Sequence, residues 1–326
     1  MQTLPSWLYA HSSKFDNNLL HHAYLISGRK GVGKSLLANR LAMQVLCHST
    51  ESSLCGECHS CKLSDLENHP DFHTLKILPE KKLIGISQIH ELRRKLYESA
   101  FLGKNKAIIL PHLEKISLDG LNAFLKILEE PPDNTYFFLI SDFLNQVPMT
   151  IQSRCFDIKI KLPNVDESLE WLDAYPKEDS IKALDLTNNL PFIAKEFLEN
   201  SYLSIREEFI VEISGIIKEG KDITLISEKW LKEEDSLGIK LEWMSKLLSD
   251  SLTFNSHNSA DTLTEDTDNM TNYLGKEVNF NQLYELLIKT NKLWNTFSQG
   301  TNLRKDYQLN SLFVDWERNL GISKKI

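Results

Sequence analysis

The 326-residue sequence predicts an α/β amino-terminal half built on a parallel sheet, followed by an all-helical carboxy-terminal half. Three observations predict this. A short apolar run, Ala23-Tyr24-Leu25-Ile26-Ser27, feeds a glycine-rich turn that opens a helical pattern. Further short apolar or alternating runs at 73–78, 107–110, 136–140 and 156–160 are separated by helical or loop segments. Beyond Pro163 the apolar spacing is helical.

The glycine-rich turn is Gly28-Arg29-Lys30-Gly31-Val32-Gly33-Lys34-Ser35, which fits G-x-x-x-x-G-K-[ST]. Glycines at 28, 31 and 33 let backbone N–H groups wrap an anion. Lys34 is placed to neutralise the β/γ-phosphates of a nucleotide, and the Ser35 hydroxyl to meet Mg²⁺. The helix that follows, 35–46, carries Leu37, Leu41 and Val45 four apart on one face. Its amino-terminal dipole points at the same anion.

Charge is unevenly divided. Residues 1–162 hold 19 Lys and Arg against 16 Asp and Glu; the remainder holds 18 against 29, so the total of −8 comes from the second half. A dedicated nucleic-acid binder needs a basic field, so any DNA contact is expected to be local or shared with partners. No apolar run reaches the length of a membrane span. The first nine residues show no basic-then-apolar signal, so a cytoplasmic protein is expected.

Four of the five cysteines are clustered as Cys47-x7-Cys55-x2-Cys58-x2-Cys61. In a cytoplasmic context such clustering favours metal over disulfides. Four thiolates at these spacings suit a closed tetrahedral zinc site, structural because no coordination position is left open. An iron–sulfur cluster is the competitor, but its run calls for a fourth Cys soon after, followed by Pro. Lys62-Leu63-Ser64-Asp65 stands there instead.

Elsewhere the elements read in order. Trp7, Phe15, Leu19 and Leu20 suit helical packing before the first strand, and His21-His22 suits surface or packing rather than ligation. A strand at 73–78 is followed by a helix capped by Ser87, with Ile89, Leu92 and Leu96 on its buried face and Arg93-Arg94-Lys95 beside it as a solvated face. The strand at 107–110 is where a nucleotide hydrolase needs Asp-Glu, one acid for Mg²⁺ and one for the attacking water. Pro111-His112 stands there, with Glu114 beyond the expected position. The segment 118–130 is a strong helix with Leu121, Phe124, Leu125 and Leu128 as its stripe, stopped by Pro131-Pro132. Ser141 ends the next strand, either watching a γ-phosphate or capping the turn.

His22-Ala23, the loop at 28–35, the four cysteines, His69-Pro70-Asp71, Asn122-Ala123-x-Leu125-Lys126-x-Leu128-Glu129-Glu130-Pro131-Pro132 and Ser153-Arg154-Cys155 occur in that order. Together they resemble the delta-prime subunit family of the bacterial DNA polymerase III clamp loader, among the AAA+ proteins. The match is dense over 1–163 and weak beyond. The resemblance implies an AAA+ P-loop domain at 1–163 with a zinc module at about 47–61, a helical lid at 164–205 and a helical collar at 206–326. It implies a ring with tau/gamma ATPase subunits and a delta subunit, which opens a sliding clamp and places it on primer-template DNA. Arg154 takes the position of an arginine finger given to the neighbouring ATPase. A guanidinium supplied in trans stabilises charge on a transferring phosphoryl group.

The departures shape the expectation. With Pro111-His112 in place of the acids, and Phe192 where motor subunits carry a nucleotide-sensing arginine, the chain is expected to hold ATP or ADP with Mg²⁺ at most, and not to hydrolyse it. An autonomous clamp-loader ATPase and a zinc-dependent DNA-binding module are the rival readings. In the second half, Leu169, Trp171, Leu172, Ile181, Leu184 and Leu186 are expected to supply the lid's apolar faces. Trp230, Leu231, Trp243, Leu247 and Leu248 are expected in the collar core. A polar stretch at 254–272 suggests a long surface loop, with amphipathic helices at 282–297 and 309–320.

Overall fold

The computed structural model describes residues 3–13, 21–49, 54–66, 68–79, 81–103, 105–257, 265–298 and 304–319. Phe15, Leu19, Leu20 and Leu320 lie outside the described residues. The chain divides into two compact units, Met1–Glu196 and Phe197–Ile326.

The first unit is organised by five parallel strands: β1 (Ala23–Ser27), β2 (Phe72–Thr74), β3 (Lys106–Leu110), β4 (Thr135–Ser141) and β5 (Phe156–Lys159). Their order across the sheet is β2-β3-β4-β1-β5. β1 sits between β4 and β5, with Ile26 opposite both Ile140 and Ile158. The central strands read as continuous apolar runs because both faces of the sheet are covered. On one face lies α2 (Lys34–Leu46), whose Leu37, Ala38, Leu41, Ala42 and Val45 are buried with Tyr24, Ile26 and Phe138. Leu8 of α1 (Ser6–Ser13) joins that core. After α3 (His59–Asp65), the opposite face is covered by α4 (Ile86–Tyr97) and α5 (Leu118–Glu129). Ile89, Leu92, Leu96, Phe124 and Leu128 pack there against Leu25, Ile108 and Phe137. α6 (Met149–Gln152) leads into β5, and α7 (Val165–Trp171), α8 (Lys177–Leu186) and α9 (Pro191–Glu199) follow.

Three local expectations are corrected here. The strand expected at 73–78 pairs only over Phe72–Thr74, with one further bond from Leu75 N to Ile109 O. β2 is an edge strand whose single neighbour is β3, and it pairs with Ala107, Ile108 and Ile109 there. The helix after it is capped by Gly85 rather than Ser87: Gly85 is extended, and its N–H donates to Gln88 Oε1 at 3.3 Å. Ile181, expected in a core, is 39% exposed, and Ala183 with Leu184 take the buried positions of α8.

The second unit is helical: α10 (Tyr202–Glu219), α11 (Ile223–Lys232), α12 (Glu234–His257), α13 (Asp268–Glu277), α14 (Phe280–Ser298) and α15 (Lys305–Asn319). Its core is aromatic. The Trp230 and Phe313 rings meet edge-on at 5.1 Å, and Phe209 lies 5.4 Å from Trp243. Two buried cations are matched inside it. Arg206 grips Asp266 through two bonds of 2.8 and 3.0 Å and lies over Trp243, while Lys240 pairs with Glu233 at 2.7 Å over Trp230. The loop expected over 254–272 is a further correction. α12 runs through His257, and a 3₁₀ turn, Glu265–Thr267, leads into α13. Asn255 Nδ2 donates to Gly275 O at 2.7 Å, and Met270 and Thr271 are buried. Packing between the two helices overrides the weak helix preference of this polar stretch. Residues 258–264 lie outside the description. No helix among the described residues is long and apolar enough to cross a membrane.

Candidate functional site

Three groups of residues carry chemistry in the first unit: the glycine loop, the cysteine knuckle and the segment around Arg154.

The loop leaves β1 and enters α2 as the sequence predicts. Gly31 and Gly33 adopt φ of 84° and 94°, which side chains with a Cβ avoid. Space is also restricted. A Cβ on Gly33 would sit 2.6 Å from the Phe192 ring, and one on Gly31 2.6 Å from Ile193 Cγ1. The loop is therefore covered by the start of α9. Phe192 N donates to Gly31 O at 3.1 Å, and the Trp7 indole donates to Val32 O at 3.0 Å.

Lys34 is almost fully buried, and its ammonium group is fully engaged. Nζ donates to Gly28 O at 2.8 Å and Arg29 O at 2.7 Å, and forms an ion pair with Asp142 at 2.6 Å. An ammonium has three donors, so these partners use the whole set. Asp142 follows directly on Ser141 at the end of β4. The Ser141 side chain is buried, and its Oγ accepts from Phe143 N at 3.2 Å, which is a turn-capping contact. Ser35 is exposed. It lines an open cleft of about 680 Å³ together with Arg40, Phe72, Lys76, Pro111 and Ile140. Pro111 thus shares the cleft of the hydroxyl proposed for Mg²⁺ and brings no carboxylate to it. His112 points to Glu114, 3.8 Å away.

The four cysteine sulfurs converge, all within 4.8 Å of one another. The closest separations are 3.4 Å for Cys47–Cys55 and for Cys58–Cys61, 3.6 Å for Cys47–Cys61 and 3.8 Å for Cys55–Cys61. Sulfurs around a tetrahedral zinc with ~2.3 Å bonds stand about 3.8 Å apart, so the donor set fits that ion. Local structure builds the knuckle. Cys47 caps the end of α2, Gly56 turns the chain at φ 74°, and Cys58 caps α3, its Sγ accepting from Cys61 N. Backbone N–H groups of Cys58 and Glu57 pull the Cys55 thiol down to about 6. Burial raises Cys47 and Cys61. At Cys58 burial works upward, but N–H groups of His48 and Cys61 outweigh it and the net shift is downward.

The sequence motif His69-Pro70-Asp71, just ahead of β2, turns out to link α3 to the end of α2 and to brace the loop before β3. Asp71 N donates to His69 Nδ1 at 3.1 Å, so the proton sits on Nε2, which faces Ser60 Oγ at 2.8 Å; Ser60 in turn donates to Leu46 O at 2.6 Å. The Asp71 carboxylate accepts from Phe101 N and Leu102 N at 2.7 and 2.9 Å. Sequence reasoning flagged the motif without assigning these roles, because the partners lie on other segments.

Arg154 follows α6 and is 34% exposed. Its Nη1 donates to Thr150 O at 2.7 Å and to Ser153 Oγ at 3.3 Å, and its Nη2 contacts Glu129 Oε1 at 2.8 Å. Its neighbour Cys155 packs on the core, and burial pushes that thiol up to about 12.

Comparison with known proteins places the chain. The family described as "DNA polymerase III, delta subunit" matches residues 5–164, and "DNA polymerase III, delta subunit, C terminal" matches 200–318. The chain is 31% identical over 304 residues to the DNA polymerase III subunit delta' of Buchnera aphidicola subsp. Schizaphis graminum, covering 92% of both chains. It is 26% identical to that of Escherichia coli K12, covering 92% of this chain and 90% of the relative. It is also 34% identical over 146 residues to the DNA polymerase III subunit tau/gamma of Haemophilus influenzae, covering 44% of this chain and 21% of the relative. With a parallel-sheet phosphate-loop unit, a cysteine knuckle and a helical second unit, the chain belongs to the delta-prime family of DNA polymerase III clamp-loader subunits.

Proposed function

We propose that this chain is a non-motor subunit of the clamp loader, serving the ATP site of a neighbouring tau/gamma subunit with Arg154 in trans. It assembles with tau/gamma and delta subunits in the cytoplasm. Through that complex it acts on the sliding clamp and on primer-template DNA. One contrast supports this reading: its own Lys34 is neutralised by Asp142 beside a cleft lined by Pro111, whereas Arg154 stands at the surface. A guanidinium offered to a neighbour's γ-phosphate stabilises transition-state charge without needing acids of its own.

Further assignments accompany it. Cys47, Cys55, Cys58 and Cys61 hold a structural zinc, whose contribution is to fix the knuckle between α2 and α3. Gly28, Gly31, Gly33, Lys34 and Ser35, with Ser141 behind them, are the set that would cradle the phosphates of ATP or ADP and its Mg²⁺. Such a ligand has to displace Asp142 from Lys34 and lift Phe192 from Gly33. Residues 1–163 form the nucleotide-binding-type part, 164–205 a lid and 206–326 the collar through which the subunit oligomerises.

The test uses the reconstituted complex. Arg154→Ala is expected to leave assembly intact and to cut DNA-stimulated ATP turnover, while the isolated wild-type chain turns over no ATP. Motor-like turnover by the isolated chain, or unchanged turnover at the adjoining site in the variant complex, defeats the reading.

A further inference from the structure

The Arg154 guanidinium is held at both of its terminal nitrogens, by groups on two different elements. Thr150 O and Ser153 Oγ, from α6 and the turn after it, take Nη1, and Glu129, the last residue of α5, takes Nη2. The side chain is thus folded back toward its own helices.

Glu129 is an unusual residue to find where it is. The carboxy-terminal end of a helix carries negative partial charge, so a carboxylate there is disfavoured and a cation preferred. α5 ends with Glu129 and then Glu130, after which Pro131-Pro132 prevents any extension. Lys126 already stands in the last turn of α5, and Arg154 brings a second cation to this helix end, directly onto Glu129. The pair is also partly exposed, 34% for Arg154 and 49% for Glu129, and exposed ion pairs are weak and readily exchanged. A triphosphate, with several charged oxygens and bidentate geometry, is a stronger acceptor for the same fork. Glu129 cannot stay in place while that happens. A carboxylate beside the guanidinium offsets the charge the phosphate needs and repels the phosphate itself.

We propose that Glu129 is a latch on Arg154: it holds the guanidinium folded back until the γ-phosphate of a neighbouring subunit displaces it, and so restrains that neighbour's turnover before the ring engages DNA. This rests on Arg154 acting in trans. Glu129 touches no substrate and acts only through Arg154, as a positioning residue.

The test is ATP turnover by the reconstituted complex, with and without primed DNA, for Glu129→Gln, Glu129→Ala, Arg154→Ala and the Glu129→Gln/Arg154→Ala pair. Loss of one exposed ion pair is expected to raise the DNA-independent rate by about two- to fivefold. The rate with DNA should change less, so the stimulation ratio falls. In the Arg154→Ala background the rise should vanish, an outcome that a merely structural role for Glu129 would not produce. If the single Glu129 variants lower turnover or leave it unchanged while Arg154→Ala lowers it, the latch is wrong and the finger stands. A rise that persists without Arg154 also overturns the latch. If Arg154→Ala itself changes nothing, both fall together.

Discussion

Lys34 and Asp142 are joined by a 2.6 Å ion pair that seats a carboxylate of this chain on the lysine of its own phosphate loop. Lys34 is 5% exposed and Asp142 22%, so the pair is shielded from water, and losing one partner leaves the other charge uncompensated. An internal anion thus competes for the cation that a β/γ-phosphate would use.

Replacing the carboxylate with an amide removes that competitor. Asp142→Asn is expected to tighten ATP or ADP binding roughly tenfold, equivalent to about 1.4 kcal/mol, as read by isothermal titration. Lys34→Ala should abolish the binding. If neither wild type nor Asp142→Asn shows heat with either nucleotide, the loop is not a nucleotide site.

Loss of Arg154 should be read at a single site. An arginine finger contributes about three to five decades of rate where it acts, and other sites in the ring mask part of this in bulk turnover. A complex in which only the adjoining tau/gamma subunit can hydrolyse ATP exposes the full loss. Native mass spectrometry of the Arg154→Ala complex should show unchanged composition.

Metal content and stability should move together. A closed four-thiolate site is worth about 10–16 kcal/mol of binding in isolated peptides. The purified chain should therefore carry one zinc per chain by elemental analysis, and prolonged chelation should lower its melting temperature. Cys61→Ser, at the most buried sulfur, should lose both the metal and the response to chelator. Iron in place of zinc, with visible absorbance, would identify the competing cluster.

Acid should destabilise the first unit. Burial lowers the pKa of His22, His69 and His73, so each resists protonation when folded. The unfolded chain then binds more protons than the folded one once the pH falls through the ordinary His range near 6.5. Stability is complete above that range and declines below it. Melting followed from pH 7.5 to 5.5 should show the decline, and His73→Gln should reduce its slope. A melting temperature that is flat or rises toward pH 5.5 contradicts the assignment.

Much of the first unit was legible because its signals are local. Ala23–Ser27 and Lys34–Leu46 appear where the apolar run and the four-residue spacing of Leu37, Leu41 and Val45 put them. The cysteine spacing anticipated a cluster that does converge. The errors lie where a neighbour overrides the local signal. The polar stretch at 254–272 reads as loop, yet α12 runs through His257 and α13 is held against it through Asn255 and Gly275. Ile181 read as core but fell on the exposed face of α8.

Alone, the sequence determined where the central strands lie, which face of helices such as Lys34–Leu46 is apolar, and that four cysteines cluster. Those properties follow from residue type and from periods of two and 3.6, which are written along the chain. Only the tertiary structure decided that Asp142 occupies Lys34, that Phe192 covers Gly33, that His69 meets Ser60 of α3 while Asp71 braces the loop before β3, and that Glu129 holds Arg154. Each of these depends on packing that brings separate segments together, and no local period encodes which distant side chain will arrive.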